Sequence, residues 1–193
     1  MMGQLDMSNP MQQVKKKITA VDLITIVIFA VLYRVLWYFF KFAGIVFPFN
    51  HTFVYLFCAF CLVLCLVIVR RPYASFYFTV AWCAINFFIQ GEIPVYWVLV
   101  VIAPLLPELY LNISRKAFSN PDEIYSSTKH LIIAAVLYNV VYEAFVWWSI
   151  VSVMKIPVPF HLIGIVFAIS ILGMVIGTVF GKKLGTRIKA LMG

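Results

Sequence analysis

Apolar residues in this chain come in long unbroken runs separated by short polar clusters, not at alternate positions. Phe53–Val69, for example, is apolar on every face. A membrane β-barrel strand would alternate polar and apolar side chains. A run apolar all round belongs to a buried or membrane-crossing helix, and about 20 such residues cross a bilayer. Six runs are predicted as spans: 22–40, 51–69, 73–89, about 94–111, 129–154 and 160–180. Short turns separate them. Residues 43–50 form an apolar loop with Gly44 and Pro48, and 112–128 is the longest polar loop. The expected organisation is a polar tail over 1–17, a transmembrane domain over 18–181 and a basic tail over 182–193. The predicted fold is all-α, a polytopic six-transmembrane-helix bundle.

Composition sharpens this picture. Of 193 residues, 64% are hydrophobic and 11% charged, against about 25% charged in an ordinary soluble domain. So little polar surface excludes a soluble enzyme, a disordered tail and a secreted disulfide scaffold. The net charge of +8 reports topology, not affinity for nucleic acid. Twelve of the fifteen Lys and Arg residues fall on one set of alternate loops and tails, two (Lys41 and Lys155) on the other, and Arg34 lies within the first run. By the positive-inside rule, both termini are expected in the cytoplasm of a multi-pass cell-membrane protein. The polar first 14 residues, with no cleavage site after the first apolar run, predict no secretory signal peptide.

Polar side chains inside the runs carry the chemistry, because a charge at the bilayer centre costs about 2.5–3.5 kcal/mol on insertion scales. Counted from the basic ends at about 1.5 Å per residue, Arg34, Asn86 and Glu143 all lie about 18–22 Å deep, in the outer half. Asn86 and Gln90 share a helix face, as do Asn139, Glu143 and Trp147. His161 opens the last run, Glu92 and Trp97 flank an outer turn, and Trp37 follows Arg34 by one turn. Together they make the candidate binding set for a small molecule: a few fixed polar groups among apolar and aromatic walls. The alternative is that Arg34 and Glu143 pair with each other in a solid bundle and the tryptophans form an interfacial belt.

Other features are weaker. Glu108 lies between prolines and Arg115, either ion-paired to Arg115 or docking a partner. Gly173, Gly177 and Gly181 form a small-residue ridge, which suits close helix packing within the chain or against a partner subunit. Cys58, Cys61 and Cys65 read as packing residues. No HExxH, GxSxG or Walker A motif occurs, so no catalytic residue, metal site or resident cofactor is expected, and the chain is read as a non-enzyme.

Several segments in order resemble the substrate-binding S components of energy-coupling factor (ECF) importers, closest to the YkoE-like group linked with thiamine and hydroxymethylpyrimidine. They are DLITIVIFAVLYRVLWYFF, VRRPYAS, INFFIQGE, PLLPELYLNISR and NVVYEAFVWW, and the resemblance covers about residues 18–190. It implies a subunit that binds a vitamin or precursor at the extracytoplasmic side. Such a subunit delivers its cargo inward with a transmembrane coupling subunit and two ATPases, which alone use ATP. In this family small residues of the first helix meet the coupling subunit; Ala30 is the one that fits, with Glu108 as a second coupling candidate. The competing expectations are an S component for another vitamin and a structural or assembly protein without a ligand site.

Overall fold

The computed structural model describes residues 18–42, 49–90 and 100–192. The tail over 1–17 and the loop expected over 43–50 lie wholly or mostly outside the described residues, as do Glu92 and Trp97. Every regular element among the described residues is helical: α1 (Ala20–Phe42), α2 (Phe49–Val69), α3 (Ala74–Gln90), α4 (Leu105–Ser114), α5 (Thr128–Trp148) and α6 (Phe160–Met192). Four stretches are long and apolar enough to cross a membrane: Ala20–Phe40, Thr52–Val69, Thr128–Val153 and Phe160–Leu191. Ala74–Ile89 is a shorter apolar helix. The chain is therefore an all-helical membrane protein.

Helix α2 is the hub. It is the most apolar of the four long stretches, and from Cys58 to Val67 nearly every residue is buried. Its seam with α6 is the most extensive among the described residues, and the glycine ridge makes it. A Cβ on Gly173 would come within 2.6 Å of the Thr52 carbonyl oxygen and one on Gly181 within 2.7 Å of that of Phe60, while one on Gly177 would strike the Leu56 carbonyl. Only hydrogen at these positions lets the two backbones approach. The ridge is thus spent inside the chain. Helix α1 packs on α2 and α3, and α5 on α6 and α4. Its outer face exposes Val21, Ile24, Ile28, Val35 and Phe39, as a lipid-facing surface would.

Two boundaries differ from the sequence expectation. The basic tail over 182–193 is no separate tail: α6 continues to Met192, and a Cβ on Gly185 would still touch Val67, so packing on α2 carries the helix onward. In the predicted fourth span the chain turns through 101–104 before α4 starts at Leu105. Pro104 and Pro107 lack the N–H groups a continuous helix would need there, and Pro104 sits at the start of α4, where proline is tolerated. The long polar loop is not structureless. Arg115–Ala117 and Pro121–Ser126 form tight helical turns, the second capped by the Asn120 side chain accepting from Asp122 N–H at 3.0 Å.

One end of the bundle is tied by a chain of polar clamps. Thr19 and Asp22 cap α1 reciprocally: Thr19 N–H donates to Asp22 Oδ2 at 2.9 Å, and Asp22 N–H to Thr19 Oγ1 at 3.2 Å. Asp22 also pairs with Arg71 at 3.0 Å. Helix α2 stops at Arg70, whose φ of 50° is left-handed, and Tyr73 has φ 64° before α3 begins. The Glu108 carboxylate holds that strained turn. It accepts from Tyr73 N–H at 2.8 Å, Ser75 N–H at 2.9 Å and Ser75 Oγ at 2.6 Å. Glu108, 1% exposed, is therefore the N-terminal cap of α3, supplied from α4. Among the described residues Arg115 meets a carboxylate at Asp122, 3.8 Å away, so the Glu108 carboxylate is spent on this turn and not on the expected ion pair.

Candidate functional site

Away from the clamped end, the bundle buries polar groups at matching height. Arg34 follows Asp22 by twelve residues, Asn86 follows Ala74 by twelve, Glu143 follows Thr128 by fifteen, and Ser170 precedes Lys182 by twelve. Each step of that size is about 18–22 Å along a helix.

Arg34 is 4% exposed. Its guanidinium carbon lies 4.4 Å from the ring centre of Trp37, 5.2 Å from that of Tyr38 and 5.6 Å from that of Trp82, a cation enclosed by π-faces. Trp37 and Tyr38 reach it because they follow by three and four residues on one helix. Its Nε and Nη2 meet no hydrogen-bond partner among the described residues. The Tyr38 hydroxyl points at Asn86 Oδ1, 3.5 Å away, which joins Asn86 on α3 to this group.

Glu143 is 1% exposed. The Tyr55 hydroxyl and the Trp147 indole lie beside its carboxyl, but Oε1 has no hydrogen-bond partner among the described residues. One turn back, Asn139 donates from Nδ2 to Ser170 Oγ at 2.8 Å, and its Oδ1 is again unmatched. Arg34 and Glu143 form no ion pair among the described residues, so the expected alternative of mutual neutralisation is not what is seen. Between them stands an aromatic wall. Trp82 meets Tyr33 edge-on at 6.0 Å and Tyr142 at 6.4 Å; Tyr142 in turn meets Tyr138 at 6.2 Å and Tyr55 at 6.1 Å.

The predicted set thus divides. Arg34, Trp37 and Asn86 form one group, and Asn139, Glu143 and Trp147 another, linked through the wall. His161 stands exposed in the first turn of α6, outside both groups. The side chain of Gln90 lies outside the described residues. Ala30, expected on a coupling surface, is fully buried in the core: a residue this small on α1 is where neighbouring helices close in. Sequence reasoning missed Tyr38, Tyr55, Trp82, Tyr142 and Ser170. The available signal was tyrosine at hydrocarbon depth, since a buried phenol needs a partner.

The chemistry on offer is recognition. A guanidinium with two unmatched nitrogens, a carboxyl oxygen and an amide oxygen are buried with hydrogen-bonding capacity unused. An unmatched buried group costs about 1–3 kcal/mol. No family model matches the chain, and no characterised protein or solved structure matches it.

Proposed function

We propose that this chain is the substrate-binding membrane subunit of an ECF-type ATP-driven importer, with six spans and both termini in the cytoplasm of a cell membrane. It binds a small vitamin or precursor, thiamine or hydroxymethylpyrimidine first among them, on the extracytoplasmic side. The chain itself does no catalysis; a coupling subunit and two ATPases supply the work. The observation that supports this reading is the unused hydrogen-bonding capacity of Arg34, Asn139 and Glu143, buried at one height and not spent on one another. A ligand bearing a cationic or amino-substituted ring suits Glu143, with Trp147 as a stacking surface. An anionic substituent on the ligand suits Arg34.

Thiamine titrated into the purified protein, followed by tryptophan fluorescence, tests this. Saturable binding is expected, weakened about 10- to 100-fold by Glu143→Gln, the range for a lost charge-assisted hydrogen bond. Unchanged affinity in that variant sinks the role of Glu143. A second reading, a structural protein without a ligand site, draws on the Arg34 guanidinium already enclosed by three rings. It gains if neither thiamine nor its pyrimidine half binds and native mass spectra of the purified protein carry no small molecule.

A further inference from the structure

The clamped end holds a groove that the ligand-binding reading does not use. Helix α6 has 33 residues and so runs about 50 Å, against about 30 Å of hydrocarbon. Its apolar run ends at Phe180, so the residues that follow reach the membrane border and the headgroup layer. Val179, Lys183, Thr186, Arg187 and Ala190 line a groove of about 480 Å³, and their spacing by three and four puts them on one stripe. Thr128, the first residue of α5, also lines it. The wall is tied at its upper corner, where Lys182 Nζ donates to Thr128 Oγ1 at 2.6 Å.

Lys183 and Arg187 are exposed, and neither meets a carboxylate among the described residues. Toward the bilayer the groove gives way to exposed apolar side chains, Val179 and Phe180. Positive charge at headgroup height with acyl-compatible surface directly beside it matches one molecule whose head is anionic and whose tail is apolar.

We infer that this groove binds an anionic phospholipid of the adjoining leaflet. Lys183 and Arg187 take the phosphate, and Val179 takes the first acyl methylenes. Basic surfaces at this level attract anionic headgroups, and the apolar wall commits the site to lipid over a free phosphate.

The test uses the full chain in neutral detergent, titrated with phosphatidylglycerol or phosphatidylcholine and read by native mass spectrometry. Phosphatidylglycerol is expected to be retained and phosphatidylcholine not, and removing both charges in the K183Q/R187Q variant should weaken retention about 30-fold. The charge-keeping K183R/R187K variant restores it, and added sodium chloride weakens binding to the unmodified protein. Equal retention of the two lipids, or salt-independent binding, overturns the inference. So does full retention by K183Q/R187Q. Displacement by inorganic phosphate beyond that produced by sodium chloride of equal ionic strength also overturns it, since it would mark a site for free anions. The salt arm needs no variant, so a folding defect in K183Q/R187Q leaves the inference open to refutation.

Discussion

Two clusters of buried polar groups in this bundle are treated in opposite ways. At the basic end the Glu108 carboxylate has acceptor bonds to two amides and a hydroxyl, and Asp22 joins α1 to the turn before α3 through Arg71. Arg70 Nη2 donates to Ser126 Oγ at 3.1 Å, and the Tyr125 hydroxyl to the Arg71 carbonyl at 3.2 Å. Some 20 Å away along the helices, Arg34, Asn139 and Glu143 are equally buried but leave nitrogen and oxygen atoms unmatched. Burial is the same and satisfaction differs. The first pattern stabilises a fold. The second costs stability, and a bound ligand could return it.

Stability measurements can break that contrast. The largest effect is expected at Glu108. Glu108→Ala strips the acceptor from Tyr73 N–H, Ser75 N–H and Ser75 Oγ at once, in a turn already strained by two left-handed residues. At about 1–3 kcal/mol for each donor left dry, the loss should reach about 3 kcal/mol or more, read as a lowered thermal midpoint in detergent. Glu108→Gln, which keeps one acceptor oxygen, should lose less. Full stability in Glu108→Ala would mean that the clamp is incidental.

A smaller effect of opposite sign is expected at Arg34. Replacing a buried ionic group with an apolar one of similar volume is often neutral or stabilising, so Arg34→Met should leave the unliganded protein as stable as before or about 1 kcal/mol more so. A loss above about 2 kcal/mol would mean that the enclosed guanidinium holds the aromatic wall together, which favours the structural reading over the importer.

Much of this was legible in the sequence because membrane burial is written in one dimension. The unbroken apolar runs gave α1, α2, α5 and α6, and the expense of a charge in hydrocarbon singled out Arg34 and Glu143. The rest depends on which helices touch. Nothing local says that Glu108 reaches across to cap α3, because the link joins positions more than thirty residues apart. Ala30 read as a surface residue because small side chains suit both a subunit interface and a tight core, and only the packing of α1 on α2 and α3 decides between them. The wall of Tyr55, Trp82 and Tyr142 draws on three helices, and each ring alone reads as ordinary apolar filling.

The least effect is expected at Asp22, and it tests whether the basic end owes its order to charge or to hydrogen bonds. The Asp22 and Arg71 side chains retain 15% and 21% of their exposure, so solvent screens the pair, and its worth should be about 0.5 kcal/mol. Asp22→Asn keeps an oxygen for the Thr19 amide and removes only the charge. Its thermal midpoint should fall slightly at low salt and rejoin that of the unmodified protein at 1 M salt, where the screening length shrinks to about 3 Å. A deficit that persists at high salt would assign the loss to the capping geometry of α1. The basic end would then be held by directed hydrogen bonds throughout, as it is at Glu108.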